Sequence, residues 1–157
     1  MKANYELLKK QLAALIADER KALPAMANAS ALLFSGVHAV SWAGFYLAEG
    51  NRLLLGPFQG KPACVSIAFG KGVCGLAAQK RKSVIVGNVH KFPGHIACDA
   101  ESKSEIVIPV IQRGTLVGVL DLDSDRYDSF DEGDRLGLEG LVEVLAEKTD
   151  FTGLTEV

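Results

Sequence analysis

The sequence predicts an α+β domain, in which a mostly antiparallel central sheet carries N- and C-terminal helices packed on one face. Apolar residues recur at helical spacing near both ends of the chain. Between the ends lie short β-branched and aromatic runs joined by tight turns, which is the pattern of antiparallel hairpins. The 157 residues fit a single domain, residues 1–157, with room for a sizeable core.

Two helices open the chain. The first, over residues 3–21, has apolar residues at helical spacing: Leu7, Leu8, Leu12, Leu15 and Ile16. Pro24 suits the first turn of the second helix, which runs to about Phe34 and is ended by Gly36. We expect both helices to pack on the sheet through their apolar sides.

A first hairpin follows the helices. Residues 39–48 are rich in aromatic and β-branched side chains and predict a strand. Residues 49–52 form a turn, and Leu53–Phe58 form the returning strand. Lys61–Ala68, a short strand or an extended loop, carries the first cysteine, Cys64.

The middle of the chain joins a glycine-rich turn to a short helix at residues 70–79. Cys74 lies at the junction, where the free N–H groups and the positive end of a helix favour a bound anion and a thiolate. Ser83–Val86 predicts another strand. Residues 87–104 show little periodicity, and a loop of this length inside a compact domain is often functional.

A second hairpin and a helix complete the domain. Glu105–Ile111 and Leu116–Asp123 predict two strands around the turn signal Arg113-Gly114. Residues 129–132 match a capping box, so a helix runs from there to about Lys148. The residues expected to face inward are Leu136, Leu141, Val142 and Leu145.

The composition indicates an ordinary globular protein. Apolar residues make up 48% and charged residues 23% of the chain, and the net charge is −2. Basic residues form only short clusters, so we expect no nucleic-acid partner. Apolar runs fall short of membrane-spanning length, and the N-terminus lacks the layout of a signal peptide. We therefore expect a cytoplasmic protein without a membrane partner, where thiols are kept reduced.

The three cysteines, Cys64, Cys74 and Cys98, allow three interpretations. Their odd number argues against a pure disulfide scaffold, and buried small side chains are the ordinary alternative. A metal site would need the three cysteines to assemble with His95 in space, and the absence of a Cys-x-x-Cys pair disfavours this. Without a metal site, we expect the histidines of the loop to lie at the surface. A redox-active set needs an exposed nucleophile within reach of a resolving thiol, and the loop placement of Cys98 allows that reach.

Three carboxylates form a second candidate group. Asp121 and Asp123 lie two apart on a strand and share a face. A two-residue turn would place Glu105 opposite Leu122, on the other face, whereas a three-residue loop over residues 113–115 would place it opposite Asp123. The glycine of the turn fits the longer loop. If the acids converge they suit an ammonium group or a shared proton, but a solvent-exposed face would also explain the two aspartates.

Two aromatic residues form a third group. Trp42 and Tyr46 lie four apart on one face of a strand, with Gly44 between them. The missing side chain leaves a slot between the rings. Ordinary core packing is the usual fate of such residues, but a slot beside acids would hold a cation or a thioether-like group.

Four motifs occur in an order that is more specific than any one of them. They are Ser41-Trp-Ala-Gly-Phe-Tyr-Leu47, Gly70-Lys-Gly-Val-Cys-Gly75, His95-Ile-Ala-Cys-Asp99 with Ser104-Glu-Ile-Val107, and Val119-Leu-Asp-Leu-Asp-Ser124. With the order of elements, they closely resemble the free methionine-(R)-sulfoxide reductases, which are GAF-domain proteins. The resemblance covers residues from about 5 to 148, which we take as the core of the domain, and includes all three cysteines.

The resemblance implies an enzyme that reduces the R epimer of free methionine sulfoxide to methionine. By resemblance, Cys98 is the nucleophile that becomes a sulfenic acid, and Cys64 resolves it as a disulfide. Cys74 is then an alternative or auxiliary resolving thiol. Thioredoxin reduces the disulfide, homodimers are usual, and neither a cofactor nor a metal is implied.

The other site residues are also assigned by resemblance. Glu105 helps to protonate the sulfoxide oxygen, while Asp121 and Asp123 hold the ammonium of the substrate. Trp42 and Tyr46 match the aromatic side of the pocket. The main alternative is a GAF domain that binds a small ligand as a sensor without chemistry, and the combination of three cysteines with three acids argues against it.

Overall fold

A six-stranded sheet forms the centre of the computed structural model, which describes residues 3–96 and 98–155. The strands are β1 (Val40–Glu49), β2 (Arg52–Gln59), β3 (Ser66–Ala68), β4 (Val84–Val86), β5 (Ser104–Gln112) and β6 (Thr115–Ser124). Their order is β3-β2-β1-β6-β5-β4, and every neighbouring pair is antiparallel. The predicted antiparallel α+β fold is confirmed.

Three helices cover one face of this sheet and one covers the other. The helices are α1 (Tyr5–Leu15), α2 (Ala22–Gly36), α3 (Gly72–Lys80) and α4 (Glu132–Lys148). The main core lies between α1, α2, α4 and the sheet, and its largest fully buried side chains include Leu12, Met26, Phe45, Ile108 and Leu141. A second apolar cluster lies on the opposite face under α3, around Leu53, Val107 and Val119. The terminal helices therefore share one face, as predicted, and leave the other face to α3 and its flanking loops.

The end of α1 and the start of α4 differ from the positions that the sequence predicts. The first helix ends at Leu15, because α2 already begins at Ala22 and the intervening residues make the connection. The capping box of α4 uses Asp131 and Asp134, two residues beyond the predicted one. Ser129, the predicted cap, instead hydrogen-bonds Ser124 through its side chain at 2.7 Å.

The inward face of α4 is also partly different. Leu141, Val142 and Leu145 are buried as predicted, but Leu136 is 62% exposed and Leu138 takes an inward position. Leu138 lies three, four and seven residues before Leu141, Val142 and Leu145 and so shares their side of the helix, whereas the spacing of Leu136 places it on another side. Within the described ranges, no helix combines the length and the apolar character needed to cross a membrane.

The register of the β5–β6 hairpin decides which face carries Glu105. Arg113 and Gly114 both have positive φ, and Gln112 pairs with Thr115, so the turn has two residues. Of the two alternatives that the sequence left open, the two-residue turn is therefore the one formed. A β-bulge between the pairs Val110↔Gly118 and Ile111↔Leu116 then shifts the register by one residue. Glu105 consequently lies opposite Asp123, where the longer loop would also have placed it.

Candidate active site

A small cavity of about 50 Å³ lies on the α3 face of the sheet. Strands β1, β5 and β6 form its floor, the start of α3 forms one wall, and the loop before β5 forms another. The candidate residues that line it are Trp42, Tyr46, Cys74, Cys98, Glu105, Asp121 and Asp123. The structure thus brings together side chains that are up to 81 positions apart in the chain, from Trp42 to Asp123.

Cys64 joins this group through a disulfide bond to Cys98. Their Cα atoms are 5.5 Å apart, which is a usual separation for a disulfide. The bond ties the segment before β3 to the loop before β5, across 34 residues of sequence. Of the cysteines, all of which the structure describes, Cys74 is free and buried.

The three carboxyl groups meet as the register requires. Glu105 and Asp121 are buried, and Asp123 is half-buried beside them. Burial raises the pKa of each carboxyl well above its usual range, and the neighbouring acids add to it: Asp121 acts on Glu105, Asp123 on Asp121, and Glu105 on Asp123. Groups this close titrate together, so the cluster retains protons at a pH where isolated carboxyls have lost them.

Cys74 differs from the expectation for a cysteine at a helix start. Its Sγ lies 3.8 Å from Oε2 of Glu105, with which it makes a hydrogen bond. Burial raises the pKa of the thiol well above its usual value, and the charges of Asp121 and Glu105 raise it further. These effects outweigh the helix dipole, so Cys74 remains a thiol in this conformation.

His95 belongs to the site, although we expected it at the surface. Its Nε2 lies 3.9 Å from Oε1 of Glu105, and it lines the cavity. Burial, with His90 nearby, lowers its pKa, so the imidazole is neutral at pH 7 and the contact with a protonated Glu105 is not an ion pair. The one feature of the sequence that could have indicated this placement was the position of His95, three residues before Cys98.

The aromatic residues line the cavity without the slot that the sequence suggested. The rings of Trp42 and Tyr46 are stacked with centroids 6.0 Å apart, and Phe58 stacks on Trp42 at 5.2 Å. A Cβ added at Gly44 would collide with Phe58. The space over Gly44 is therefore filled by Cα and Cβ of Phe58 on β2 and by the ring of Trp42, and the glycine permits this close packing.

The same two aromatics hold the segment that carries Cys64. The indole N–H of Trp42 donates to the carbonyl of Lys61, and the hydroxyl of Tyr46 donates to the carbonyl of Cys64, both at 3.0 Å. Burial raises the pKa of the Tyr46 hydroxyl, with a further contribution from Asp121, so the hydroxyl keeps its proton. An exposed ion pair of 2.8 Å between Lys61 and Glu101 links the same segment to the loop of Cys98.

Two polar atoms at the site remain unsatisfied. Oδ1 of Asp121 and Oγ of Ser102 are buried without a hydrogen-bond partner among the described residues. Both residues line the cavity. A buried acceptor without a partner is costly, so the cavity is suited to a ligand that can donate to it or coordinate it.

A wider, open groove of about 1010 Å³ lies elsewhere, between α4, strand β5 and the segment that precedes β4. Its charged lining includes Arg20, Arg113, Arg135, Glu139 and Glu143. None of its lining residues is a cysteine or a histidine. The cysteine side chains, by contrast, lie at the small cavity.

Comparisons with known proteins agree with this geometry. A family profile described as GAF domain matches residues 17–147. Protein YtsP of Bacillus subtilis is 52% identical over 90% of this chain and 88% of its own length. Free methionine-R-sulfoxide reductase of Escherichia coli is 48% identical over 94% of this chain and 91% of its own length. The solved structure of fRMsr of Staphylococcus aureus in complex with substrate is 49% identical, with a TM-score of 0.91, covering 96% of this chain and 98% of that one.

The match to these relatives spans nearly the whole chain, including the strands, helix and loop that build the cavity. The chain therefore belongs to the free methionine-R-sulfoxide reductase family of GAF-domain proteins.

Proposed function

We propose that this protein reduces free L-methionine (R)-sulfoxide to L-methionine with a pair of cysteine thiols. The observation that carries the proposal is the Cys64–Cys98 disulfide at a cavity lined by three acids and two aromatic rings. This disulfide is the product that such a reaction leaves on the enzyme. The names of the family members support the substrate and its stereochemistry.

The first step consumes the thiolate of Cys98. Its sulfur attacks the sulfoxide sulfur and forms an S–S bond, while the sulfoxide oxygen is protonated and leaves as water when the S–O bond breaks. Water then attacks the sulfur of Cys98, the S–S bond breaks and methionine leaves. Cys98 is left as a sulfenic acid, so cysteine is oxidised by two electrons and the sulfoxide is reduced by two. Glu105 supplies the proton, because its raised pKa keeps a carboxylic acid available inside the cavity.

The second step closes the disulfide. The thiol of Cys64 attacks the sulfenic acid of Cys98 and water leaves. Cys74 is the poorer resolving thiol in this conformation, since it is buried, hydrogen-bonded to Glu105 and has a raised pKa. We therefore assign resolution to Cys64 and an auxiliary role to Cys74.

The two charged ends of a free amino acid find different partners in the cavity. Asp121 and Asp123 hold the ammonium group, which would also satisfy the unpaired oxygen of Asp121. The carboxylate is placed at the start of α3, where Lys71 and Gly72 line the cavity and helix N–H groups favour an anion. Trp42 and Tyr46 then face the methyl and thioether part of the side chain.

The closed disulfide makes the cavity too small for this substrate. A volume of about 50 Å³ holds one or two water molecules, and methionine sulfoxide is several times larger. Reduction of the bond frees the loop before β5 from Cys64. Substrate entry therefore follows reduction, which orders the catalytic cycle.

Recycling requires an external dithiol, for which we propose thioredoxin. One thiolate of thioredoxin attacks the Cys64–Cys98 disulfide and forms a mixed disulfide. The second thiol of thioredoxin then resolves it, which leaves the enzyme reduced and thioredoxin oxidised. The cycle needs no cofactor, and a reducing cytoplasm is the compartment that would sustain it. A homodimer is the proposed assembly, by the family resemblance.

A thiol count tests the proposal. Reduced protein mixed with free methionine (R)-sulfoxide, without other reductant, is expected to lose two thiols and to form one methionine per chain. Methionine S-sulfoxide serves as the matched control and leaves the thiol count unchanged. If the R-sulfoxide binds without thiol loss, the protein is a ligand sensor and the reductase proposal is wrong.

A further inference from the structure

Three metal-ligating side chains meet beside the disulfide. Sγ of Cys74 and carboxylate oxygens of Glu105 and Asp121 all lie within 4.8 Å of one another, and all three residues are buried. They come from α3, β5 and β6, which are regular elements of the domain. Their positions are therefore set by the framework of the domain and do not depend on closure of a loop.

An independent observation indicates that this group has room for a ligand. Asp121 is 5% exposed, and its Oδ1 has no hydrogen-bond partner among the described residues. The side chain lines the cavity together with the other two. The groups that act most strongly on Glu105 and Asp121 are other acids and Cys74, so a cation is the ligand that the arrangement lacks.

We propose that the disulfide form of this protein binds one divalent late transition-metal ion, zinc above all, through Cys74, Glu105 and Asp121. His95 lies beside this group, with its Nε2 3.9 Å from Oε1 of Glu105, so the ion has three protein ligands and an open fourth position. Binding releases the proton of the Cys74 thiol and the protons held by the two carboxyl groups, since thiolate and carboxylate are the forms that coordinate a metal.

The donor set selects the class of metal. Thiolate and imidazole ligands favour zinc and its neighbours, whereas calcium and magnesium prefer oxygen donors. Tetrahedral zinc with ordinary bond lengths separates a sulfur and an oxygen ligand by about 3.5 Å. The 3.8 Å between Sγ of Cys74 and Oε2 of Glu105 needs only a small adjustment to meet that geometry.

This donor set differs from the one that the sequence made us consider. A site of Cys64, Cys74, Cys98 and His95 was disfavoured, and the structure uses two of those cysteines in a disulfide. In the proposed site, the carboxyl groups of Glu105 and Asp121 lie beside Cys74 in place of Cys64 and Cys98. The proposal therefore departs from the expectation that this chain holds no metal.

The consequence for turnover rests on the proposed function. If Glu105 protonates the substrate and Asp121 holds its ammonium, a metal that stays on the same oxygens after the disulfide is reduced excludes methionine sulfoxide. Zinc would then hold the enzyme in an inactive state from which a chelator releases it. Metal binding itself rests on the donor geometry alone.

Cobalt titration of the oxidised full-length protein tests the binding, because a thiolate bound to Co²⁺ gives a charge-transfer absorption. One equivalent per chain is expected to produce this band, and Zn²⁺ is expected to remove it by displacement. The matched control is the Cys64→Ser/Cys98→Ser double variant, in which Cys74 is the remaining cysteine. It is expected to keep the band, whereas Cys74→Ser is expected to lose it.

Asp121→Asn provides a second variant that changes charge with little change in shape. Its Co²⁺ affinity is expected to fall by about tenfold or more, which is a loss that even outer partners of metal ligands can cause. A wild-type protein without the band, a band that survives in Cys74→Ser, or unchanged affinity in Asp121→Asn would overturn the inference. Turnover of the chelator-treated enzyme is measured separately, so metal binding without turnover would overturn the reductase proposal alone.

Discussion

The hydroxyl of Tyr46 donates a 3.0 Å hydrogen bond to the main-chain carbonyl of Cys64. Tyr46 is on the central strand β1, whereas Cys64 lies in the irregular segment before β3. The bond therefore anchors one partner of the disulfide to the central sheet. Cys98, the other partner, lies in the loop before β5. Tyr46 thus positions Cys64, the proposed resolving cysteine, in addition to lining the cavity.

Replacing Tyr46 with Phe keeps the ring and removes this hydrogen bond. Without the anchor, Cys64 samples more positions and meets the sulfenic acid of Cys98 less often. Disulfide closure is expected to slow several-fold relative to methionine formation, and stability to fall by about 1 kcal/mol. Single-turnover measurements that follow methionine and free thiols separately check the difference. Closure that keeps pace with methionine formation would show that the hydroxyl does not position Cys64.

The cysteine variants separate the two chemical steps. Cys98→Ser is expected to form no methionine, because the nucleophile is absent. Cys64→Ser is expected to form one methionine per chain and to accumulate a sulfenic acid that dimedone traps, with slow recycling by thioredoxin. Cys74→Ser, the matched control, is expected to lose two thiols like the wild type. A Cys64→Ser variant with an unchanged steady-state rate would make Cys74 the main resolving thiol.

Sequence patterns predicted the elements of the fold well but left their exact pairing open. The turn signal and the strand patterns on either side of it were sufficient to predict the β5–β6 hairpin. The bulge beside Val110 was not predicted from the sequence, and with the two-residue turn it alone places Glu105 with the aspartates. The start of α4 was predicted at Ser129, two residues before the observed cap. Contacts of Ser129 with Ser124 left the cap to Asp131.

The candidate site, like the fold, was predicted from the sequence only in part. Motif resemblance named the residues that the structure brings into one cavity, although their chemical roles stay predictions. His95 was missed because a loop histidine has no periodic pattern that reveals burial. The slot over Gly44 was wrong because Phe58 reaches it from the neighbouring strand, which depends on register across β1 and β2. The state of Cys74 depends on two acids from distant strands, and no local rule for helix starts includes them.

Gly44→Ala tests the close packing of the aromatic wall. A Cβ at this position would collide with Phe58 and lie 2.8 Å from Cη2 of Trp42. The free energy of unfolding is expected to fall by about 1–3 kcal/mol, with weaker substrate binding as the rings separate. Gly140→Ala in α4 is the matched control, since its Cβ would meet only the flexible Lys9 side chain at 3.4 Å. Urea denaturation is expected to show that this second variant is more stable by up to about 1 kcal/mol.

The buried acids predict a stability that falls as pH rises. Burial raises the pKa of Asp121 and Glu105 in the folded protein, whereas unfolding returns both to ordinary carboxyl values of about 4. Above that value the folded state binds more protons than the unfolded state, so raising the pH favours unfolding until the folded-state pKa values are passed. Urea denaturation of the reduced protein between about pH 5 and pH 8 is expected to show the decline. Asp121→Asn is expected to flatten it by removing one of the interacting carboxyls. A decline as steep as that of the wild type would mean that other groups cause it.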